Sequence, residues 1–246
     1  MNAATTTNPQ SSSVSTTPGS WGGLYTGAAN GVFRQSGISF VLLLIISSVI
    51  YGYQPQVGAS AESLTAFYTG DRTRILIAAV ISGLAVLNLL WFAAALRTAL
   101  AEAGCDDWGA AATASSAAVA GLFLLIISLG AGLAYSIVAS GNEPLTSALN
   151  DLTWALVVLS SFPRAMLVMA GTFGLFRAGL ISNALFGFGV GAVVLGVLGG
   201  TTWLSGGFWA PDGVYSRFVW PVIFLLYVVV ASRVLSTRGS ATKASS

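Results

Sequence analysis

Arg164 stands in the middle of Leu152–Phe176, a run otherwise apolar enough to cross a bilayer, and the residues around it decide what chemistry it can do. Ser160 and Ser161 precede it at i−4 and i−3, the spacing that puts two hydroxyls beside it on one helix. Pro163 cannot donate to the carbonyl of Leu159 and clashes with that turn, so a kink with a freed backbone acceptor is expected there. A guanidinium offers five N–H donors and a charge it does not lose in water. The chemistry on offer is therefore recognition of oxygen, either protein oxygens or those of a carboxylate, phosphate or lipid headgroup.

A basic residue at the centre of a membrane helix costs on the order of 2.5–3.5 kcal/mol, so Arg164 is expected to face protein or water. It lies roughly 18 Å from either end of its span, too far for snorkelling alone. All eight acids, Glu62, Asp71, Glu102, Asp106, Asp107, Glu143, Asp151 and Asp212, fall in loops or at helix ends, which leaves no buried carboxylate at midplane. Neutral groups at similar depth are Ser47, Ser48, Asn88, Ser128 and Tyr227. Two readings stand. In one, Arg164 binds a small anion or amphiphile together with Ser160, Ser161, Asn88, Ser128 and Tyr227. In the other it is glue between helices, with Asn88 and Tyr227 as ordinary satisfied polar groups of a helical core.

The elements that must position these residues follow from composition. Of 246 residues 55% are hydrophobic and 7% charged, against about 25% charged in soluble domains, so lipid is the expected solvent. A net charge of +2 is too small and scattered for a nucleic-acid footprint, and no nucleic-acid partner is expected. There is no histidine and one cysteine, Cys105, which removes the commonest general base, the commonest metal ligand and any internal disulfide. Cys105, Asp106 and Asp107 read as a solvated turn, and neither a metal, a cofactor nor an enzymatic activity is expected.

The expected fold is all-α, a polytopic bundle of six transmembrane helices occupying 36–236, with spans near 36–54, 74–98, 112–139, 150–176, 180–204 and 215–236. Residues 1–19 and 237–246 are expected to be disordered polar tails, and 20–35 an interfacial segment or the start of the first helix. The uncharged start, rich in Thr, Ser and Asn, does not read as a cleaved signal. Arg34, Arg97, Arg177, Arg233, Arg238 and Lys243 flank one side and Arg72, Arg74 and Arg217 the other, which places both termini in the cytoplasm. Outer loops near 55–73, 140–149 and 205–214 carry turn residues and a belt of Tyr, Trp and Phe.

The fifth span contains two GxxxG pairs, Gly187/Gly191 and Gly196/Gly200, expected with Pro163 to shape helix packing. The GxGxxA string at Gly187–Ala192 lacks the preceding strand a dinucleotide site requires. LWFAAALR before Thr98 and VMAGTFGLFR before Ala178 share a pattern of small and apolar residues ending in arginine, which is ordinary at a cytoplasmic helix end.

Asn150-Asp151-Leu152, Ser161-Phe162-Pro163 and Gly174 to Leu180, running into the Gly/Val-rich fifth span, give residues 150–236 a likeness. This half resembles the six-helix membrane proteins of bacteria, actinobacteria especially, that have no assigned activity. Such proteins often carry Pro and Trp after the fourth span, where this chain has Ile181-Ser182-Asn183. The resemblance implies a bacterial inner membrane and no catalytic residue. The expected partners are lipid, a small anion or amphiphile, and other membrane subunits.

Overall fold

The computed structural model describes the backbone of residues 22–244 and the side chains of residues 35–237. The tail expected at 1–19 lies outside the described residues, as do the side chains of the expected interfacial segment up to 34.

Every regular element among the described residues is helical. The helices are α1 (Gly22–Tyr51), α2 (Ala61–Gly70), α3 (Arg72–Glu102), α4 (Asp106–Gly132), α5 (Glu143–Leu159), α6 (Ser161–Arg177), α7 (Asn183–Gly199) and α8 (Trp220–Ala244). A π-helical turn, Leu133–Ile137, and a short 3-10 turn, Val138–Ser140, carry α4 onward, and another π turn, Tyr215–Val219, leads into α8. Local chemistry sets several ends. Ser60, Asn142 and Ser182 accept from the amides of Ser63, Leu145 and Leu185, the N-cap role of short oxygen-bearing side chains. Gly179, at φ +66°, stops α6 and lets the Leu180 amide return to the Leu175 carbonyl at 2.8 Å, satisfying a terminal acceptor.

Among the described residues four helical segments are long and apolar enough to cross a membrane: Arg72–Glu102, Asp106–Ser140, Glu143–Arg177 and Tyr215–Thr237. Gln35–Tyr51 and Asn183–Gly199 are apolar but shorter among the described residues. Large apolar side chains cover the outside, with Val49 at 76%, Val80 at 67% and Val222 at 60% exposure, as a surface facing hydrocarbon requires.

The helices pack in a ring: α3 on α1 and α4, α6 on α4 and α7, α8 on α7 and α1. The main core runs between them through Phe40, Leu89, Phe92, Leu96, Leu167, Phe224 and Val228. A second cluster, Leu64, Tyr68, Ile75, Leu133 and Val138, seats α2 across one end of the bundle.

Several expected boundaries change. The outer loop expected over 55–73 contains α2, whose start is signalled by the Ser60 cap. The fourth span begins at Glu143, before the expected 150, and is interrupted at Ser160. The fifth helix ends at Gly199, and 201–214 is irregular. Helix α8 continues to Ala244, where a tail was expected from 237.

The two GxxxG pairs part company. A Cβ on Gly196 would collide with the Trp220 ring and Ala165, and one on Gly200 with the Phe162 ring, so this pair packs α7 into the bundle as expected. Gly187 and Gly191 are exposed and meet nothing within 4 Å, correcting their assignment as an internal packing face. Helical geometry explains the split, since the pairs stand nine residues, about two and a half turns, apart and must face opposite ways. Gly196→Leu is expected to lower stability by about 1–3 kcal/mol or more through overpacking, whereas Gly187→Leu should change it by less than about 0.5 kcal/mol. Reversible unfolding in mixed micelles measures both; equal losses would contradict this placement.

Candidate functional site

The site begins with the break at Ser160. Pro163 has no N–H for the Leu159 carbonyl, and α5 hands over to α6 through Ser160, whose amide still reaches Leu156 at 2.8 Å. Arg164 folds back over this break. Its Nε donates to the Ser160 carbonyl at 3.1 Å, and Nη2 donates to the Val157 carbonyl at 3.0 Å, to Ser160 Oγ at 2.9 Å and to Ser161 Oγ at 3.2 Å. The freed Leu159 carbonyl is the backbone acceptor that Pro163 leads one to expect, beside the two serines. The guanidinium instead takes Val157, one half-turn earlier, because it lies across the break and not beside it.

All four hydrogen bonds stay on α5 and α6. What reaches Arg164 from other helices is aromatic: Phe123 of α4 and Trp220 and Phe224 of α8 have ring centroids 5.7–6.0 Å from its guanidinium carbon. Such contacts are worth about 0.5–2 kcal/mol each and suit a cation kept from water. Among the described residues no carboxylate pairs with Arg164; the one ion pair is Arg74 with Asp71, half-exposed near the start of α3. Nη1 has no hydrogen-bond partner among the described residues, although the side chain is only 4% exposed.

Arg164 lines a cavity of about 260 Å³ bounded by α1, α3, α4, α5 and α8. Its walls are largely apolar, with Ser47, Ser48, Tyr51, Gln54, Ser82, Thr153 and Ser160 adding oxygen atoms and no carboxylate among the lining residues. The Ser47 hydroxyl donates to the Ala78 carbonyl at 2.8 Å and lies 2.5 Å from Ser82 Oγ, and Thr153 donates to the Leu149 carbonyl at 2.9 Å. With those hydroxyl protons held by protein oxygens, the charged donor facing the cavity is Arg164.

The structure assembles part of the expected constellation. Ser160 and Ser161 join Arg164 as their spacing implied. Asn88 does not join them: it lies outside the cavity and donates to the Leu84 carbonyl of its own helix at 2.9 Å. It follows Ser82 by six residues, a rotation of about 240° that turns it off the cavity face. Ser128 is exposed on the outside of α4. Tyr227 is buried, but its hydroxyl packs against Gly171, which is two turns or about 10 Å beyond Arg164 along α6.

The residues that close the α2 end were not singled out as a site. Segment 52–58 lies there, and Asn150, fully buried, holds it: Nδ2 donates to the Gln56 carbonyl at 3.1 Å, while Oδ1 accepts from the Tyr68 hydroxyl at 3.1 Å and from Gln54 at 3.4 Å. Burial pushes the Tyr68 phenol well above its ordinary pKa, with Tyr51 adding to the shift, so it remains a donor into the alkaline range. Trp154 donates to the Pro55 carbonyl at 2.9 Å, and the Gly58 amide donates to Asp151 at 3.1 Å. Arg217 is clamped between the Tyr53 and Trp154 rings, 3.8 and 4.6 Å from their centroids, with Nη1 and Nη2 both on the Gln54 carbonyl at 3.3 Å. The available signal was the i,i+4 pair Asn150 and Trp154 at the polar end of a span.

Asn150→Leu leaves the Tyr68 hydroxyl and the Gln56 carbonyl without their partner, at a cost of about 1–3 kcal/mol. Amide exchange in 52–58 is expected to accelerate while that of α3 and α6 stays unchanged; unaltered exchange in 52–58 would contradict the clamp. Comparison with protein-family models, curated proteins and solved structures found no match.

Proposed function

We propose that this chain is a six-span integral protein of a bacterial inner membrane, with both termini cytoplasmic, that binds a small monoanion with an apolar body at Arg164. The observation that carries the binding reading is Nη1: two N–H donors of a cation that is 4% exposed, without a protein acceptor among the described residues, at the wall of a cavity that has no acid. One cation is balanced by one negative charge, and a second charge in this setting would be left desolvated and unpaired. The apolar walls favour a ligand with a hydrocarbon part.

The six-span topology is supported by the ring of helices and by the asymmetry of basic flanks. Helix α1, with 30 residues, is about 45 Å long and ample for a crossing; α7, with 17, is about 26 Å and short by a few ångströms, a mismatch that local thinning accommodates. In that topology the cavity lies in the outer half, beneath the Asn150 clamp. A second reading, a non-catalytic accessory subunit, is favoured by the exposed Gly187/Gly191 face of α7.

Titration of the nanodisc-embedded protein with hexanoate tests the binding reading. Wild type is expected to bind, Arg164→Gln to lose at least about 30-fold, as for removal of one partner of a buried charge pair, and Arg164→Lys to retain part of the affinity. Hexanoate binding unaffected by Arg164→Gln in a folded protein overturns it.

A further inference from the structure

The walls of the cavity differ in how they close, and the difference points to where a ligand comes from. On α1, the stripe that faces α8 runs Val41, Leu44, Ser48, positions three and four apart. Val41 is 7% exposed, Leu44 is half-buried and Ser48 is exposed. On α8, Val228 is 0% and Phe224 1% exposed, Pro221 a turn before Phe224 is half-buried, and Leu225 beside Phe224 is half-buried as well. The seam between the two helices is therefore fully covered around Val41 and Val228 and less covered toward Ser48 and Pro221.

The tight end has a visible cause. Gly37 brings α1 so close to α8 that a Cβ there would overlap the Ser232 hydroxyl, and Phe40 meets Phe224 edge-on at 6.3 Å. Beyond this contact Leu44, Ser48, Pro221 and Leu225 all line the Arg164 cavity, so the less covered part of the α1–α8 seam forms one of its walls. Ser48 is compatible with a hydrocarbon surface because its hydroxyl donates to the Leu44 carbonyl at 2.8 Å. Gln54 of segment 52–58 lines the α2 end of the cavity and Phe224, packed on Phe40, lines the opposite end, which directs attention to the side.

We propose that the cavity opens laterally to the bilayer between α1 and α8, and that its ligand is a single-chain carboxylate amphiphile whose head meets Arg164 and whose tail leaves through that cleft. The inference rests on the anion-binding reading and names its ligand class and route. Volume and charge select the class. A cavity of 150 Å³ holds benzene, so one of about 260 Å³ holds about ten heavy atoms, a head and a few methylenes. A two-chain phosphodiester must seat its phosphate, glycerol and ester groups, already more than about ten heavy atoms before either tail begins, and a phosphate monoester near a charge of −2 exceeds the single cation available. A chain longer than the cavity can be accommodated because the cleft leads its tail into lipid.

The test uses the full chain in phosphatidylcholine nanodiscs and two probes, hexanoate and dodecanoate with a diazirine near its methyl end. Photolabelling is expected on the α1 and α8 segments around Leu44–Val49 and Pro221–Leu225, and to be lost in Arg164→Gln. Ser48→Trp, which fills the cleft from an exposed position, is expected to weaken dodecanoate by at least about tenfold more than hexanoate; Leu225→Trp repeats the test from the other wall. Labels on segment 52–58, or equal losses for the two chain lengths, with hexanoate binding still dependent on Arg164, overturn the lateral cleft and leave the anion site standing. Hexanoate binding that ignores Arg164 overturns both.

Discussion

A cation buried without a counter-charge must be held by neutral oxygen atoms, and Arg164 finds them by folding back over the break in its own helix. Had the α5–α6 segment been a regular helix, the Val157 carbonyl would be engaged by a main-chain amide of the next turn and the guanidinium would have no cluster of acceptors to lie on. Pro163 prevents that regularity, and Ser160 and Ser161 add hydroxyls at the spacing a helix makes adjacent. The guanidinium thus serves as a staple in which Nη2 is saturated and Nη1 has no protein acceptor among the described residues. The structural role and the proposed binding role would thus fall to different nitrogens of one side chain.

The rest of the bundle keeps that arrangement dry and shaped. Phe123, Trp220 and Phe224 offer ring faces where other proteins place a carboxylate, so the positive charge is eased without being cancelled. Gly196 and Gly199 let Trp220 come close to α7, and this seats the ring within reach of Arg164. At the α2 end the Asn150 and Arg217 clamp fixes segment 52–58 with hydrogen bonds that apolar contacts alone could not direct. A rigid roof, an aromatic floor and a side gap at Ser48 together define which direction remains for exchange.

Relations within one helix were readable from the sequence, whereas azimuth and relative depth between helices were not. Ser160, Ser161 and Pro163 were legible because their relation to Arg164 is local, set by spacing on one helix. Asn88 and Ser128 miss the cavity through helix rotation and Tyr227 lies about two turns too deep, offsets that are fixed only when helices pack. The two GxxxG pairs show the same limit: the spacing within each pair is local, while the face that meets a neighbour depends on the whole ring. Asn150 was hidden for a stronger reason, since its Gln54, Gln56 and Tyr68 partners lie 82–96 residues away and a polar residue near a helix start resembles ordinary surface. Helix α2 lay inside an expected loop because its ten residues are too few to show as a span.

The central claim is that Nη1 of Arg164 is the donor for an anion. Solid-state NMR of the nitrogen-15 arginine-labelled protein in bilayers, with carbon-13 carboxylate-labelled dodecanoate, measures it directly through the dipolar coupling between carboxylate carbon and guanidinium nitrogen. A coupling characteristic of direct hydrogen bonding, absent from Arg164→Gln, is the expected result. A bound fatty acid with no coupling to arginine, or one that persists in Arg164→Gln, would contradict the account.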